Sequence, residues 1–169
     1  ALQECIRLAG AAHNFEGKEE KLAEARTVEK CIGLKAKLDT LGDDVDETIN
    51  VINDGIHLST FEKLPGLAQK FESIKHDLEQ RLVAKLDEAM KNESADALRE
   101  CIRHVNAAHD FEGKHDKLRR GRELQPFLDL NASLDSVVVE DHERMISVVK
   151  SGLTTMKEDS WKEHLPGLG

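Results

Sequence analysis

The sequence predicts an all-α protein made of tandem helical-hairpin repeats, and three observations carry that expectation. The first is composition. Among 169 residues, hydrophobic residues reach 39% while aromatics are 4%, with no Tyr and one Trp. Strands draw on aromatic and β-branched runs, so a core of Leu, Ile, Val and Ala favours helices. The second is periodicity, with apolar residues recurring at i, i+3, i+4 and i+7 in segment after segment. The third is an internal recurrence: LQECIRLAGAAHNFEGK at 2–18 returns at 98–114 as LRECIRHVNAAHDFEGK, displaced by 96 residues from Glu4 to Glu100. Leu, Glu, Cys, Ile, Arg, Ala, Ala, His, Phe, Glu, Gly and Lys match among the 17 aligned positions. Chance gives roughly one match at ordinary residue frequencies. The expected organisation is a unit of roughly four helices over 1–93 and a second, truncated unit over 94–169 that lacks its last helix. An α-solenoid and linked helical bundles satisfy the same stripes.

The first helix carries Leu2, Cys5, Ile6, Ala9 and Ala12 on one inward stripe and continues past Gly10 to His13. A turn follows over 13–17, with Asn14 and Gly17 as turn formers and Phe15 folding back on the hairpin. The second helix, 18–41, turns Leu22, Ala25, either Cys31 or Ile32, Leu34 and Leu38 inward, and the short connection makes it an antiparallel neighbour of the first. Gly42, Asp43 and Asp44 stop it, and Asp43, Asp44, Asp46 and Glu47 suit the positive N-terminal end of the next helix. That third helix, 45–54, points Ile49, Ile52 and Ile56 inward, with Gly55 as its C-cap. Pro65, in the loop 59–66, sets the fourth helix going. The fourth helix, 67–91, has Leu67, Phe71, Ile74, Leu78, Leu82 and Leu86 on one stripe. Asn92, Glu93 and Ser94 break it, with Ser94 as the next N-cap.

Beyond the opening motif the second copy keeps register more weakly. Lys21 and Leu22 map to Lys117 and Leu118, Leu34 to Leu130, Leu38 to Leu134 and, after one added residue, Ile49 to Ile146 and Gly55 to Gly152. The loop Lys63-Leu64-Pro65-Gly66-Leu67 returns as His164-Leu165-Pro166-Gly167-Leu168, in a longer version that carries Trp161. A shorter interval of 43 residues, from Glu47-Thr48-Ile49 back to Glu4-Cys5-Ile6 and from Glu143 back to Glu100, suggests two hairpins in each copy. Pro126 falls well inside a helix and should kink or restart it near Gln125, because proline lacks the backbone donor and crowds the preceding turn. The start at Ala1 without Met and the stop before a second fourth helix suggest a piece of a longer array.

The net charge of -9 disfavours nucleic acid, which needs a clustered positive surface. The most basic group, Lys117, Arg119, Arg120 and Arg122, reads as a solvated helix face. No apolar run approaches the roughly 20 residues of a membrane span. Three cysteines, an odd number without a dense framework, read as reduced thiols of a cytoplasmic protein, although a bridge between Cys5 and Cys101 stays open.

Histidine is the residue type that tempts a metal or catalytic reading, through Cys101, His104, His109 and His115 with Asp110, Glu112 and Asp116 nearby. Zinc wants three or four converging ligands, yet neither HExxH nor a paired Cys-x-x-Cys is present, and His104 and His109 fall on different helix sides. Only Cys101 and His109 recur, as Cys5 and His13. The structural account is a core cysteine and a histidine that caps the helix end. The acidic pairs Asp43-Asp44 and Glu140-Asp141 lack calcium-loop spacing, and helix starts explain them. No phosphate loop, nucleophile elbow or nucleotide fingerprint occurs, so no cofactor and no catalytic residue is expected. Loops carry function more often than cores do, which makes Phe15, Glu16, Lys18, Phe111, Glu112, Lys114 and Trp161 the candidate interaction residues.

Degenerate hairpins with Leu/Glu-Ala/Cys-Ile cores resemble the tandem α-helical hairpin arrays of large scaffold and cytoskeleton-associated proteins, including those of protists. The likeness runs along the whole chain, but no tetratricopeptide, ankyrin or armadillo consensus is present. It implies a non-catalytic segment whose partners are other proteins or neighbouring repeats of the same polypeptide. Two rivals remain: a helical-bundle carrier with a cavity for a lipid or other apolar ligand, and a metal- or thiol-dependent enzyme using the Cys and His residues.

Overall fold

Leu22, Cys31, Leu34 and Leu38 define the first interhelical seam in the computed structural model, which describes residues 1–14, 16–58, 61, 64, 66–136 and 142–155. Those residues form seven helices and no strand: α1 Leu2–Ala11, α2 Lys18–Thr40, α3 Val45–Ile56, α4 Leu67–Lys91, α5 Ala95–Ala107, α6 Lys114–Asp135 and α7 His142–Thr155. The chain divides into two compact units, Ala1–Gln80 and Arg81–Gly169. The division falls inside α4, so this helix gives its first part to one unit and its second part to the other.

In the first unit α1 packs on α2 and α2 on α3. Cys31 is the buried member of its pair, while Ile32 stays exposed. Cys5 is exposed too, which corrects its expected place in the core. The stripe of α1 rests on Leu2, Ile6 and Ala9, each only half-buried, and Ala12 lies outside it. Asp44 caps α3 by accepting from the backbone N–H of Glu47 at 3.0 Å, satisfying one of the free donors of the first turn.

The third helix runs past the expected end to Ile56, and this changes the meaning of Gly55. It is not a C-cap but a buried residue inside the helix. A Cβ built there would lie 2.3 Å from Phe71 Cε2 and 3.0 Å from Leu34 Cδ2, so the missing side chain is what lets Phe71 of α4 lie against α3. Ile49 and Ile52 are buried as expected, whereas Ile56 at the end of the stripe is exposed. Phe71 also stacks on Phe61, with ring centroids 4.8 Å apart. Lys70, its neighbour in α4, pairs with Asp39 at the end of α2. Pro65, the expected trigger of α4, lies outside the described residues.

The second unit repeats that order of neighbours, α5 on α6 and α6 on α7. Its core gathers Leu82, Leu86 and Ala89 of α4 with Leu98, Val105, Leu118, Phe127, Leu128 and Leu130. The break before α5 is a left-handed Glu93 at φ 53, with the N–H of Ser94 returning to the carbonyl of Ala89. Ser94 then accepts from the backbone N–H of Ala97 as N-cap.

Pro126 does not restart its helix: α6 is one helix from Lys114 to Asp135. The neighbouring Gln125 ties this stretch down by donating to Ala95 O at 3.0 Å and to Asp129 Oδ1 at 2.7 Å. Gly152 sits buried inside α7, where an added Cβ would meet Leu130 Cδ1 at 3.2 Å. Leu130 holds the register position of Leu34, so in each unit a leucine of the middle helix closes on a glycine of the next.

Candidate functional site

The recurrent segment is the natural place to look for a site, and its geometry is the same in both copies. The first helix of each copy ends in an extended residue, Ala12 or Ala108. A left-handed glycine then follows as N-cap of the next helix, Gly17 at φ 75 and Gly113 at φ 77. Positive φ is open to glycine because it has no Cβ. The lysine after the glycine is buried in each case. Lys18 Nζ donates to the carbonyls of Gly10 at 3.1 Å and Ala12 at 2.6 Å. Lys114 Nζ donates to the carbonyls of Ala108 at 2.5 Å and His109 at 3.2 Å.

A helix C-terminus presents carbonyls without donors and a partial negative charge, and an ammonium answers both needs. The lysine is therefore the cap of the preceding helix, which corrects the role expected of His13 and His109. His13 is exposed beyond the end of α1, and the ring of His109 packs beside Phe111 at 5.9 Å. The signal was present in the sequence, since Lys18 and Lys114 recur directly after the turn glycine in both copies. With the lysines turned inward, Glu16 and Glu112 are the candidate interaction residues exposed in these loops, and Phe111 is half-buried. Phe15 and Trp161 lie outside the described residues.

Of the candidate metal residues, Cys101 and His104 line one groove, and the four do not converge. His104 is buried with Nε2 2.7 Å from Arg103 Nη2 and 4.0 Å from Glu100 Oε1. His115 is exposed, 3.5 Å from Asp110 Oδ1. Among the described residues no three His, Cys, Asp or Glu side chains converge as a metal site would require. Cys101 lines a groove of about 370 Å³ with Lys85, Glu88, Glu100 and His104. Burial pushes its thiol pKa up, and the carboxylates of Glu100 and Glu88 push the same way against Lys85. A thiol held protonated is a poor nucleophile and a poor metal ligand. None of the three cysteines forms a disulfide.

The basic group on α6 is largely occupied. Lys117 pairs with Asp87 at 2.6 Å, Arg119 with Asp116 and Glu123, and Arg122 donates to Asn106 Oδ1. A second groove of about 480 Å³ lies between α2 and α3, lined by Lys30, Leu34, Lys37, Asp54, His57 and Leu58. Its charged rim differs from the Leu, Ile and Phe lining that an apolar ligand needs. Glu140 and Asp141 lie outside the described residues. Among the described residues no helix is long and apolar enough to cross a membrane. No protein-family model, curated protein or solved structure matches this chain.

Proposed function

We propose that the chain is a tandem helical-hairpin segment of a larger cytoplasmic protein and serves as a non-catalytic scaffold or spacer for protein partners. One observation carries this reading. The strongest recurrence in the sequence is spent on building hairpins, with its glycine supplying the left-handed turn and its lysine capping the preceding helix. Residues that recur for an architectural reason mark the repeat, and several differences between the copies fall on exposed positions of α2 and α6. Glu19, Glu20 and Glu24 occupy on α2 the register that His115, Asp116 and Arg120 occupy on α6. Two such surfaces suit different partners or different parts of one partner.

The test is affinity capture from extracts of the source cells, with the 169-residue chain as bait and a net-charge-matched helical protein as control. A discrete set of proteins should be enriched, and Glu19→Lys with Glu20→Lys should remove part of that set while the circular dichroism stays helical. No enrichment over the control overturns the reading. So does stoichiometric uptake of a fluorescent fatty acid, which identifies a carrier instead.

A further inference from the structure

Within the second unit, the stretch 81–91 of α4 meets side chains of both helices of the α5–α6 hairpin. Asp87 accepts from Lys117 Nζ of α6 at 2.6 and 2.7 Å. One residue earlier, Leu86 of α4 and Ile102 of α5 come together over Gly121 of α6, where a Cβ would lie 3.3 Å from Ile102 Cγ1 and 3.5 Å from Leu86 Cδ1. Lys85 and Glu88 line a groove with Cys101 and His104 of α5. At this contact Leu86 is 0% exposed, His104 is 7% exposed and Gly121 is buried.

The α1–α2 hairpin carries the same receiving positions in a barer state. A step of 96 residues takes Lys117 to Lys21, Ile102 to Ile6, Cys101 to Cys5 and Gly121 to Ala25. Lys21 and Cys5 are exposed, and Ala25, unlike Gly121, is only half-buried. Leu8, in the place of the buried His104, is 54% exposed. Alanine at 25 still admits a leucine, since 3.5 Å from a Cβ to a leucine methyl is ordinary van der Waals contact.

Resting on the tandem-hairpin reading above, we infer that this face of α1 and α2 is a docking surface for the second half of a fourth helix from a further unit of the same kind. The occupant is an amphipathic helix with a leucine directly followed by an acidic residue, as Leu86 is followed by Asp87. Its leucine packs over Ile6 and Ala25, its carboxylate meets Lys21, and its neighbouring turn covers Cys5 and Leu8. The three contacts are those by which 81–91 holds α5 and α6.

The test extends the full chain by joining a copy of residues 81–96 ahead of Ala1, a junction that reproduces the Ala-Asp-Ala-Leu of 95–98. Alkylation of Cys5 in the native extended chain, read by mass spectrometry, should slow by roughly tenfold or more, and Leu86→Asp placed in the extension alone should return it to the unextended rate. Asp87→Lys in the extension should also release Cys5, and adding Lys21→Glu should protect it again. Lys21 is exposed and the other changes lie outside the original chain, so the fold is kept, and circular dichroism verifies it.

Cys5 labelling that the extension leaves unchanged, or that the Leu86→Asp extension slows equally, overturns the inference. Rescue by Lys117→Glu in place of Lys21→Glu also overturns it, because the extension would then have displaced the resident 81–91. Concentration-dependent protection of Cys5 in the unextended chain, with a dimer in sedimentation, makes a second copy the occupant and overturns it as well. The capture experiment reads partners at Glu19 and Glu20, so either result can fail without the other.

Discussion

Lys18 and Lys114 show how much one side chain settles. Each ammonium sits on two carbonyls at the end of the preceding helix, and in each case the lysine is buried. Lys114→Met keeps the apolar stem and removes the donor, leaving buried carbonyls without a partner at a cost of about 1–3 kcal/mol. Urea unfolding should show a lower midpoint for Lys114→Met and for Lys18→Met, and an unchanged midpoint would deny the capping role. The sequence marked both lysines by their recurrence but assigned the cap to His13 and His109, because imidazole and ammonium are equally able to meet a carbonyl. Reach decided between them, since the lysine stem extends back across the turn to the helix end.

The cysteines give a second residue-scale prediction. Cys5 is exposed, Cys101 half-buried and Cys31 buried, so alkylation of the native protein should follow that order. Burial raises the Cys101 thiol above its ordinary range, which favours the protonated form in the folded state. The resulting contribution to stability is present below the unfolded thiol pKa and is lost as pH rises through the folded one. Its sign should appear as a loss of stability on the alkaline side that Cys101→Ala removes. Labelling of Cys31 ahead of Cys5, read by mass spectrometry, would contradict the packing of α2.

At the scale of elements, the two glycines inside α3 and α7 make a controlled pair. Gly55→Ala drives a Cβ to 2.3 Å from Phe71, and relieving that overlap should cost about 1–3 kcal/mol. At Gly152→Ala the three nearest atoms among the described residues belong to the flexible Leu130 side chain, the first at 3.2 Å. There the gain in helix propensity, roughly 1 kcal/mol for Ala over Gly, should leave the variant neutral or slightly more stable. Thermal melts of the two variants check the contrast, and equal destabilisation would refute it. Helix order, the Asp44 and Ser94 caps and the α4 stripe were legible because each depends on neighbours within a turn or two. Gly55 was not, since the atom that explains it belongs to Phe71 in another helix. Cys31 against Ile32 was undecided for a similar reason: adjacent positions both border a helical stripe, and only packing chooses one. Pro126 does not restart α6, because proline's cost is local, while the contacts of Gln125 and the buried Phe127 and Leu128 hold the helix together around it.

At the scale of the whole molecule, the helical class followed from composition and a 3.6-residue period that no strand shares. The place where compactness divides was not visible, because the stripe from Leu67 to Leu86 runs through 80/81 without a break. A repeated motif marks where a pattern restarts, whereas compactness marks where side chains meet, and the two fall at different residues. Gln80 is exposed on α4, so Gln80→Pro should act through the backbone, at about 3 kcal/mol or more for a proline inside a helix. Hydrogen exchange should then quicken in both α3 and α5, and loss confined to one of them would argue against the shared use of α4. Anyone dissecting the molecule for separate expression inherits this arrangement. Scissors placed at 80/81 leave each fragment a stump in place of a shaft, 67–80 in one and 81–91 in the other, with the helix cut through its middle turns. Useful fragments would overlap, each retaining all of residues 67–91.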